Sequence, residues 1–267
     1  MITSTANQKI KRLVNLQKKR KLRDTEGVFL VEGIRMFREV PAVDLQEVYV
    51  SESFYNKEKE LVDKICKESK VRAEILTDTV FAHASDTQTP QGILCVVKQR
   101  GKAGDFKKLW EDKSKTPFLM ILDNLQDPGN MGTILRTAEA AGVTGIVMSK
   151  DCVDIYNSKV IRSTMGSVFR MPFLYVEDLE AAVKEMKAAG IKTYAAHLAG
   201  KLSYDEPDYK EACAFMIGNE GNGLRDEIAE LADTYIIIPM AGQVESLNAA
   251  IAATVLMFET SRQRRAK

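Results

Sequence analysis

The chain is poor in the residues that metal and nucleophile chemistry most often draws on. Its 267 residues include two histidines, His83 and His197, and four cysteines. Two imidazoles so far apart in sequence argue against a histidine-based metal site or catalytic triad. Cys66, Cys95, Cys152 and Cys213 are scattered, with no CxxC pair and no adjacent histidine. Free buried thiols in a reducing cytoplasm are expected, not disulfides or zinc. No apolar run approaches the ~18 residues that a membrane helix needs. The N-terminus is polar and basic with no apolar core behind it, unlike a secretory signal. Neither sign of charge dominates: 38 Lys and Arg face 37 Asp and Glu, for a net charge of +1. Internal repeats and low-complexity segments are lacking too.

The hydrophobic fraction of 45% and charged fraction of 28% are those of a globular protein. The length exceeds what one compact core usually needs, so two domains are expected. The near-neutral total hides a local asymmetry. Up to Arg23 the chain carries Lys9, Lys11, Arg12, Lys18, Lys19, Arg20, Lys21 and Arg23 without one acid, and it ends on Arg262, Arg264, Arg265 and Lys267. Basic ends suit a polyphosphate partner, although solvated helix faces would account for either run alone.

Periodicity divides the chain. From Asn7 to Gln17, Ile10, Leu13, Val14 and Leu16 recur at helical spacing. Apolar runs at Val28–Val31, Leu45–Val50, Val71–Leu76 and Ile93–Val97 read as strands, with helices through Ile34–Phe37 and Lys57–Glu68 between them. Alternation of this kind predicts a small α/β layer over residues 1–100. The pattern dissolves over 101–116, a candidate linker. From Pro117 to the end, a second domain (117–267), strands are expected at Phe118–Leu122, Gly145–Met148, Thr193–Ala196, Ala214–Ile217 and Tyr235–Ile238. Helices fall near Met131–Ala141, Asp178–Ala189, Leu224–Leu231 and Leu247–Arg262. Strands so uniformly apolar fit a parallel sheet covered on both faces.

Three segments place small and amide residues at the ends of such strands, where backbone must approach a ligand. In Asn124-Leu-Gln-Asp-Pro-Gly-Asn-Met-Gly-Thr-Ile-Leu-Arg136, the Asp127-Pro-Gly-Asn130 stretch is turn chemistry. It puts Asn130 where it could cap a helix starting at Met131. Arg136 then lies among Leu135, Ala138, Ala140 and Ala141 and needs a partner: a phosphate, which suits the planar fork, or an acid such as Asp123. In Ile217-Gly-Asn-Glu-Gly-Asn-Gly-Leu224, glycines at 218, 221 and 223 permit unusual dihedrals and close approach. The order GxxGxG, late in the chain, is unlike the dinucleotide fingerprint, and no Walker lysine follows. In Ile238-Pro-Met-Ala-Gly-Gln-Val-Glu-Ser-Leu-Asn-Ala-Ala250, Ser246 is a candidate N-cap for the last helix.

In sequence, order and spacing these segments resemble the three signature motifs of the SpoU (TrmH) family of the SPOUT superfamily, over residues 117–265. The N-terminal part resembles, more weakly, the substrate-binding domain many such rRNA enzymes carry, at Ser4, Asn7, Ile10-Lys11 and Phe29-Leu-Val-Glu-Gly33. The alternative there is a generic α/β module for dimerisation or solubility. The resemblance implies an α/β fold: a C-terminal SPOUT domain with a parallel sheet and deep trefoil knot, plus a smaller N-terminal α/β RNA-binding domain. It implies S-adenosylmethionine-dependent 2′-O-methylation of a ribose in ribosomal RNA by a metal-free homodimer. Arg136, Asn130, Glu220, Ser246 and Asn248 are the implied catalytic residues, with Glu220 holding Arg136 or Asn248 in place. Arg136 would act as general base or, as its permanent charge favours, as a clamp on phosphate and developing alkoxide. Gly218, Ile238, Leu247, Leu198, Asn219, Gly221 and Met240 are the implied cofactor contacts, and His197 is read as structural. The rival functions are the same reaction on tRNA, a non-catalytic RNA-binding or ribosome-assembly factor and, more distantly, a nicotinamide oxidoreductase.

Overall fold

The computed structural model describes residues 1–100, 106–112 and 114–266. In chain order the first elements are α1 (Gln8–Lys18), α2 (Arg20–Glu26), β1 (Val28–Glu32), α3 (Ile34–Glu39), β2 (Leu45–Ser51), α4 (Glu52–Ser69), β3 (Ala73–Leu76), α5 (Asp78–Ala84) and β4 (Ile93–Lys98). There follow β5 (Phe118–Leu122), α6 (Pro128–Ala141), β6 (Gly145–Ser149), α7 (Ser158–Thr164), β7 (Phe173–Val176), α8 (Leu179–Ala188), β8 (Lys192–Ala196) and β9 (Leu202–Ser203). The last are β10 (Cys213–Ile217), α9 (Asp226–Ala229), β11 (Thr234–Ile237) and α10 (Ala249–Arg265). These elements form two units, the first comprising Met1–Arg100 together with Asp154–Phe169.

In the first unit a four-stranded sheet runs in the order β1-β4-β2-β3, antiparallel except for the β2/β3 pair. Ile10, Leu13 and Leu16 of α1 are fully buried and pack with Leu30, Tyr49, Leu76 and Phe81. Asn7 caps α1 by accepting from the Lys9 amide. The helices α2, α5 and α7 were not expected. Residues 154–169, read from sequence as part of the second domain, belong to this unit by contact. A buried ion pair holds them: Arg23 meets Asp154 at 2.6 Å and also donates to the carbonyls of Leu16 and Gln17. The basic N-terminal run is therefore less of a free polycation than it reads. Lys9 pairs with Glu74, Arg12 with Glu26 and Glu47, Arg20 with Asp24, and Arg23 is interior. Among the described residues, Lys11, Lys18, Lys19 and Lys21 have no ion pair.

The second unit is built on a seven-stranded sheet, β7-β6-β5-β10-β8-β11-β9, in which every neighbouring pair is parallel. All residues of β5, β6 and β10 are buried, as a sheet covered on both faces requires. The edge strands β7 and β9 were not anticipated. Of the expected linker, residues 101–105 and 113 lie outside the described residues. Phe106–Leu109 is a 3₁₀ turn whose Leu109 joins the core of this unit with Leu119, Val147 and Met186, so that part does not behave as a linker. All four cysteines are buried and free.

The last helix, α10, packs against α6. Its Arg264 is a fastener, not a free charge. It donates to the carbonyls of Tyr209, Thr116, Pro117 and Glu211 at 2.7–3.0 Å and lies 5.1 Å from the Phe118 ring centre. Arg262 is likewise paired, with Glu259 at 2.7 Å. Removing the Arg264 guanidinium leaves several carbonyls without a charged donor, each such bond contributing about 1.5 kcal/mol or more. We expect Arg264→Ala to lower unfolding stability by about 2–4 kcal/mol, measured as the urea midpoint of the purified protein, whereas Arg265→Ala should change it little. Equal midpoints for parent and Arg264→Ala would refute this role.

Candidate active site at the ends of the parallel strands

The three motif segments follow β5, β10 and β11, all leaving the carboxyl edge of the same parallel sheet, where α/β sheets bind ligands. After β5 the chain turns at Asn124, whose φ of 52° is left-handed and whose amide donates to Ser149 Oγ. The cap of α6 is Asp127, not Asn130: its carboxylate accepts from the Asn130 amide at 2.7 Å, and Pro128 occupies the first helical turn. The cap of α10 is Asn248, not Ser246. Asn248 Oδ1 accepts from the amides of Ala250 and Ile251.

These two corrections expose a hydrogen-bonded line with a fixed direction. Because Asn248 spends its oxygen on the helix, its Nδ2 faces out and donates to Asn130 Oδ1 at 2.9 Å. Asn130, 8% exposed, then has only its Nδ2 to offer, and donates to Glu220 Oε1 at 3.0 Å. Glu220 terminates the line, also accepting from the amides of Gln126 (3.1 Å) and Asp127 (2.8 Å). Desolvation opposes its ionisation, but the hydrogen bonds from Asn130, Asp127 and Gln126 outweigh it and hold the carboxyl below its ordinary pKa. One residue from each motif is thereby linked.

The loop after β10 folds back on itself. Asn219 and Gly223 exchange main-chain hydrogen bonds of 2.9 and 3.0 Å. The Asn219 side chain accepts from the amides of Gly221 and Asn222 and donates to the Asn124 carbonyl. Two of its glycines are required. A Cβ on Gly218 would lie 2.1 Å from Gly223 C and Leu224 N, and Gly223 has a φ of +71°. Gly221 is under no such constraint, since a Cβ there would meet only Asn219 Oδ1, at 3.5 Å.

Against this loop lies a cavity of about 370 Å³. Gly218, Ile238, Leu247, Leu198, Asn219, Gly221 and Met240, the seven expected cofactor contacts, all line it, together with Glu220 and Ser246. His197, Ile236 and Ile237 line it too. Ser246 is exposed and its hydroxyl has no hydrogen-bond partner among the described residues. The volume and the mixture of strand-end backbone with a few polar groups fit a nucleoside-sized ligand. Asn130 and Asn248 stand behind Glu220 and do not line the cavity.

Arg136 is placed differently from expectation. It is exposed, not enclosed by apolar neighbours, and neither Glu220 nor Asp123 holds it. Asp123, fully buried at the end of β5, is instead taken by Arg225, whose guanidinium and amide both donate to it. Hydrogen bonding to Asp123 raises the Arg225 pKa further. Sequence reading missed Arg225, Asp127 and Gln126. Asp127 carried a signal, a capping residue directly before proline; Arg225 carried none, since its partner is 102 residues away.

A parallel sheet with a nucleoside-sized cavity and amide-rich loops at its carboxyl edge is the arrangement by which α/β proteins hold a nucleoside-containing cofactor. Residues 117–258 match the SpoU rRNA methylase family and residues 7–95 the MRM3-like substrate binding domain. The chain is 33% identical to the 23S rRNA (guanosine(2553)-2′-O)-methyltransferase RlmP of Bacillus subtilis over 96% of this chain and 97% of that one. Its fold superposes on the AdoMet-bound rRNA methyltransferase of Sinorhizobium meliloti with a TM-score of 0.85, at 30% identity and covering 98% and 97% of the two chains. For the SpoU methyltransferase AviRb of Streptomyces viridochromogenes with AdoMet, the TM-score is 0.82 at 26% identity, covering 98% and 100%. The chain belongs to the SpoU rRNA methylase family, and S-adenosylmethionine is its cofactor. No helix among the described residues is long and apolar enough to cross a membrane.

Two consequences can be measured. Gly218→Ala should abolish S-adenosylmethionine binding in calorimetry by forcing the loop backbone apart, while Gly221→Ala retains it; equal affinities for the two variants would contradict the packing argument. Folding lowers the Glu220 pKa, so the stability it contributes is complete above the ordinary carboxylate pKa, about 4.3. That contribution is lost as pH falls through the depressed folded value. Glu220→Gln, which sets an amide donor against donors, should remove this part of the acid limb when urea midpoints are followed against pH. Superimposable limbs for parent and variant would count against it.

Proposed function

We propose that the protein transfers a methyl group from S-adenosylmethionine to a ribose 2′-hydroxyl of ribosomal RNA. The observation that carries the reading is the Asn248–Asn130–Glu220 line beside the cavity, with an unengaged Ser246 on its wall. The cofactor supplies an electrophilic methyl group. The chain's part is to hold the acceptor: Ser246 offers a hydroxyl toward the ribose, and the rigid line behind Glu220 fixes the floor against which the sugar is aimed. Glu220 already accepts three N–H bonds, so it serves better as an anchor than as a base. Arg136, exposed and always charged, suits a grip on a neighbouring phosphate and on the oxygen as its proton leaves to solvent.

Three further readings accompany this one. The exposed faces of two adjacent helices carry a stripe at one spacing: Gly129, Thr133, Arg136 and Ala140 on α6, and Ile251, Val255, Phe258 and Arg262 on α10. Ile251 and Phe258 are 49% and 44% exposed. Small residues beside an apolar row favour a homodimer, which would bring Arg136 to a partner's cavity. The insertion of β11 between β8 and β9, consecutive in the chain, supports the trefoil knot; an experimental trace whose end pulls free of its loop would refute it. Free buried thiols favour a cytoplasmic setting. The choice of rRNA over tRNA rests on the similarity to the 23S rRNA enzyme RlmP along nearly the whole of both chains, the substrate-binding unit included.

The test is incubation with methyl-labelled S-adenosylmethionine and separated, unmodified rRNA and tRNA, with sedimentation of the same samples. Label should appear as a 2′-O-methylnucleoside in rRNA, from a dimer. Arg136→Ala should lower kcat about a hundredfold or more with cofactor affinity unchanged. Label in tRNA alone would overturn the substrate, cofactor binding without transfer to either RNA the catalytic role, and an active monomer the shared site.

A further inference from the structure

His197 does more than fill space at the end of β8. Its main chain donates to the Ile236 carbonyl at 3.0 Å and its carbonyl accepts from Gly200 at 2.9 Å. Its ring lies 4.8 Å from that of Tyr235. Its Nδ1 accepts from the Ala199 amide at 3.1 Å. That bond closes a small turn around Leu198, which is 65% exposed and lines the cavity beside His197. Gly200 seals the turn against the β11 backbone: a Cβ there would lie 2.7 Å from Ile236 C. An exposed leucine on a turn stitched to a strand over a cavity is a cover, and the imidazole is the part of the stitching that can be undone by a proton.

We propose that His197 is a positioning residue for the cofactor: as a neutral imidazole it holds the Leu198 turn over the cavity, and its protonation releases that turn and weakens cofactor binding. The chemistry follows from the ring. With Nδ1 committed as an acceptor, the single hydrogen of the neutral ring sits on Nε2. Protonation makes both nitrogens donors, sets an N–H against the Ala199 N–H, and removes the bond. The other titratable groups on the cavity are Glu220, Asp226 and Glu245, and Tyr235 of β11 packs on the ring. Glu220 is held below its ordinary value by its donors. The inference rests on the cofactor occupying this cavity.

The experiment compares the parent with His197→Asn, whose Oδ1 stands where Nδ1 does and does not titrate. Calorimetric affinities for S-adenosylmethionine and S-adenosylhomocysteine are taken from about pH 8 to about pH 5. In the parent both should weaken by roughly fivefold, the worth of one hydrogen bond; in His197→Asn both should stay flat. A fall confined to S-adenosylmethionine would mean repulsion between imidazolium and sulfonium and would overturn the positioning role, as would parallel pH profiles in parent and variant. The imidazole ¹⁵N shifts of the parent supply a check free of any variant or cofactor. The protein has only two histidines, and a neutral His197 carrying its hydrogen on Nδ1 would refute the proposal. Failure of the parent to bind either compound near pH 8 would instead reject the cavity as the cofactor site.

Discussion

The candidate site depends on Glu220 being the last acceptor of a directional hydrogen-bond line. The line begins at the first amides of α10, passes through two asparagine side chains and ends on one carboxylate. Each amide can be read in only one orientation, because the residue behind it has already chosen. A carboxylate at the end satisfies donors from three directions; an amide there would set a donor against a donor, and a hydroxyl or apolar group would leave at least one donor without an acceptor. Three segments spread over 118 positions of the chain are thus brought to one arrangement by a single requirement of hydrogen-bond polarity.

The sheet order is what makes so long-range a line short in space. Strands β5 and β10 are neighbours in register, Phe118 opposite Cys213 and Leu122 opposite Ile217, so the loops that follow them leave side by side. Asp123 and Arg225 reinforce that junction from beneath, a buried carboxylate that would be costly to leave without its partner. Gly218 lets the second loop bend back without displacing the first. The cavity is then the space left between this junction, the end of β11 and the cover formed by the Leu198 turn.

Much of the fold was legible from the chain because fully buried parallel strands are written as unbroken apolar runs. Phe118–Leu122 appears in the structure with the same ends, and four other strands of that sheet differ by a residue or two. The strands that escaped notice, β7 and β9, are edge elements of four and two residues with half-exposed positions, which leave no such run. The unexpected helices α5 and α7 have seven residues each, too short for periodicity to declare itself. Within the site, residue types and loop positions were legible, but pairings were not. Asn130 and Ser246 are both good capping residues, and only a nearer or better-placed competitor, Asp127 or Asn248, relieved them of that duty. Arg136 and Arg225 look alike in sequence, yet one is exposed and the other holds a carboxylate from 102 residues earlier.

The hold of Arg264 on Thr116 and Pro117 joins residues 148 and 147 positions apart, so the end of the catalytic unit fastens its beginning. Closing loops of that size costs chain entropy before the contact can reward it. The central strand, β10, and β11 beside the edge strand β9 both come late in the chain. A nascent chain still short of its last helix has neither the capping Asn248 nor the clasp that keeps α10 in place. Until α10 has been made, the cavity lacks Ala249 and Ala252 of its wall, and the line beside it lacks the helix amides that orient Asn248.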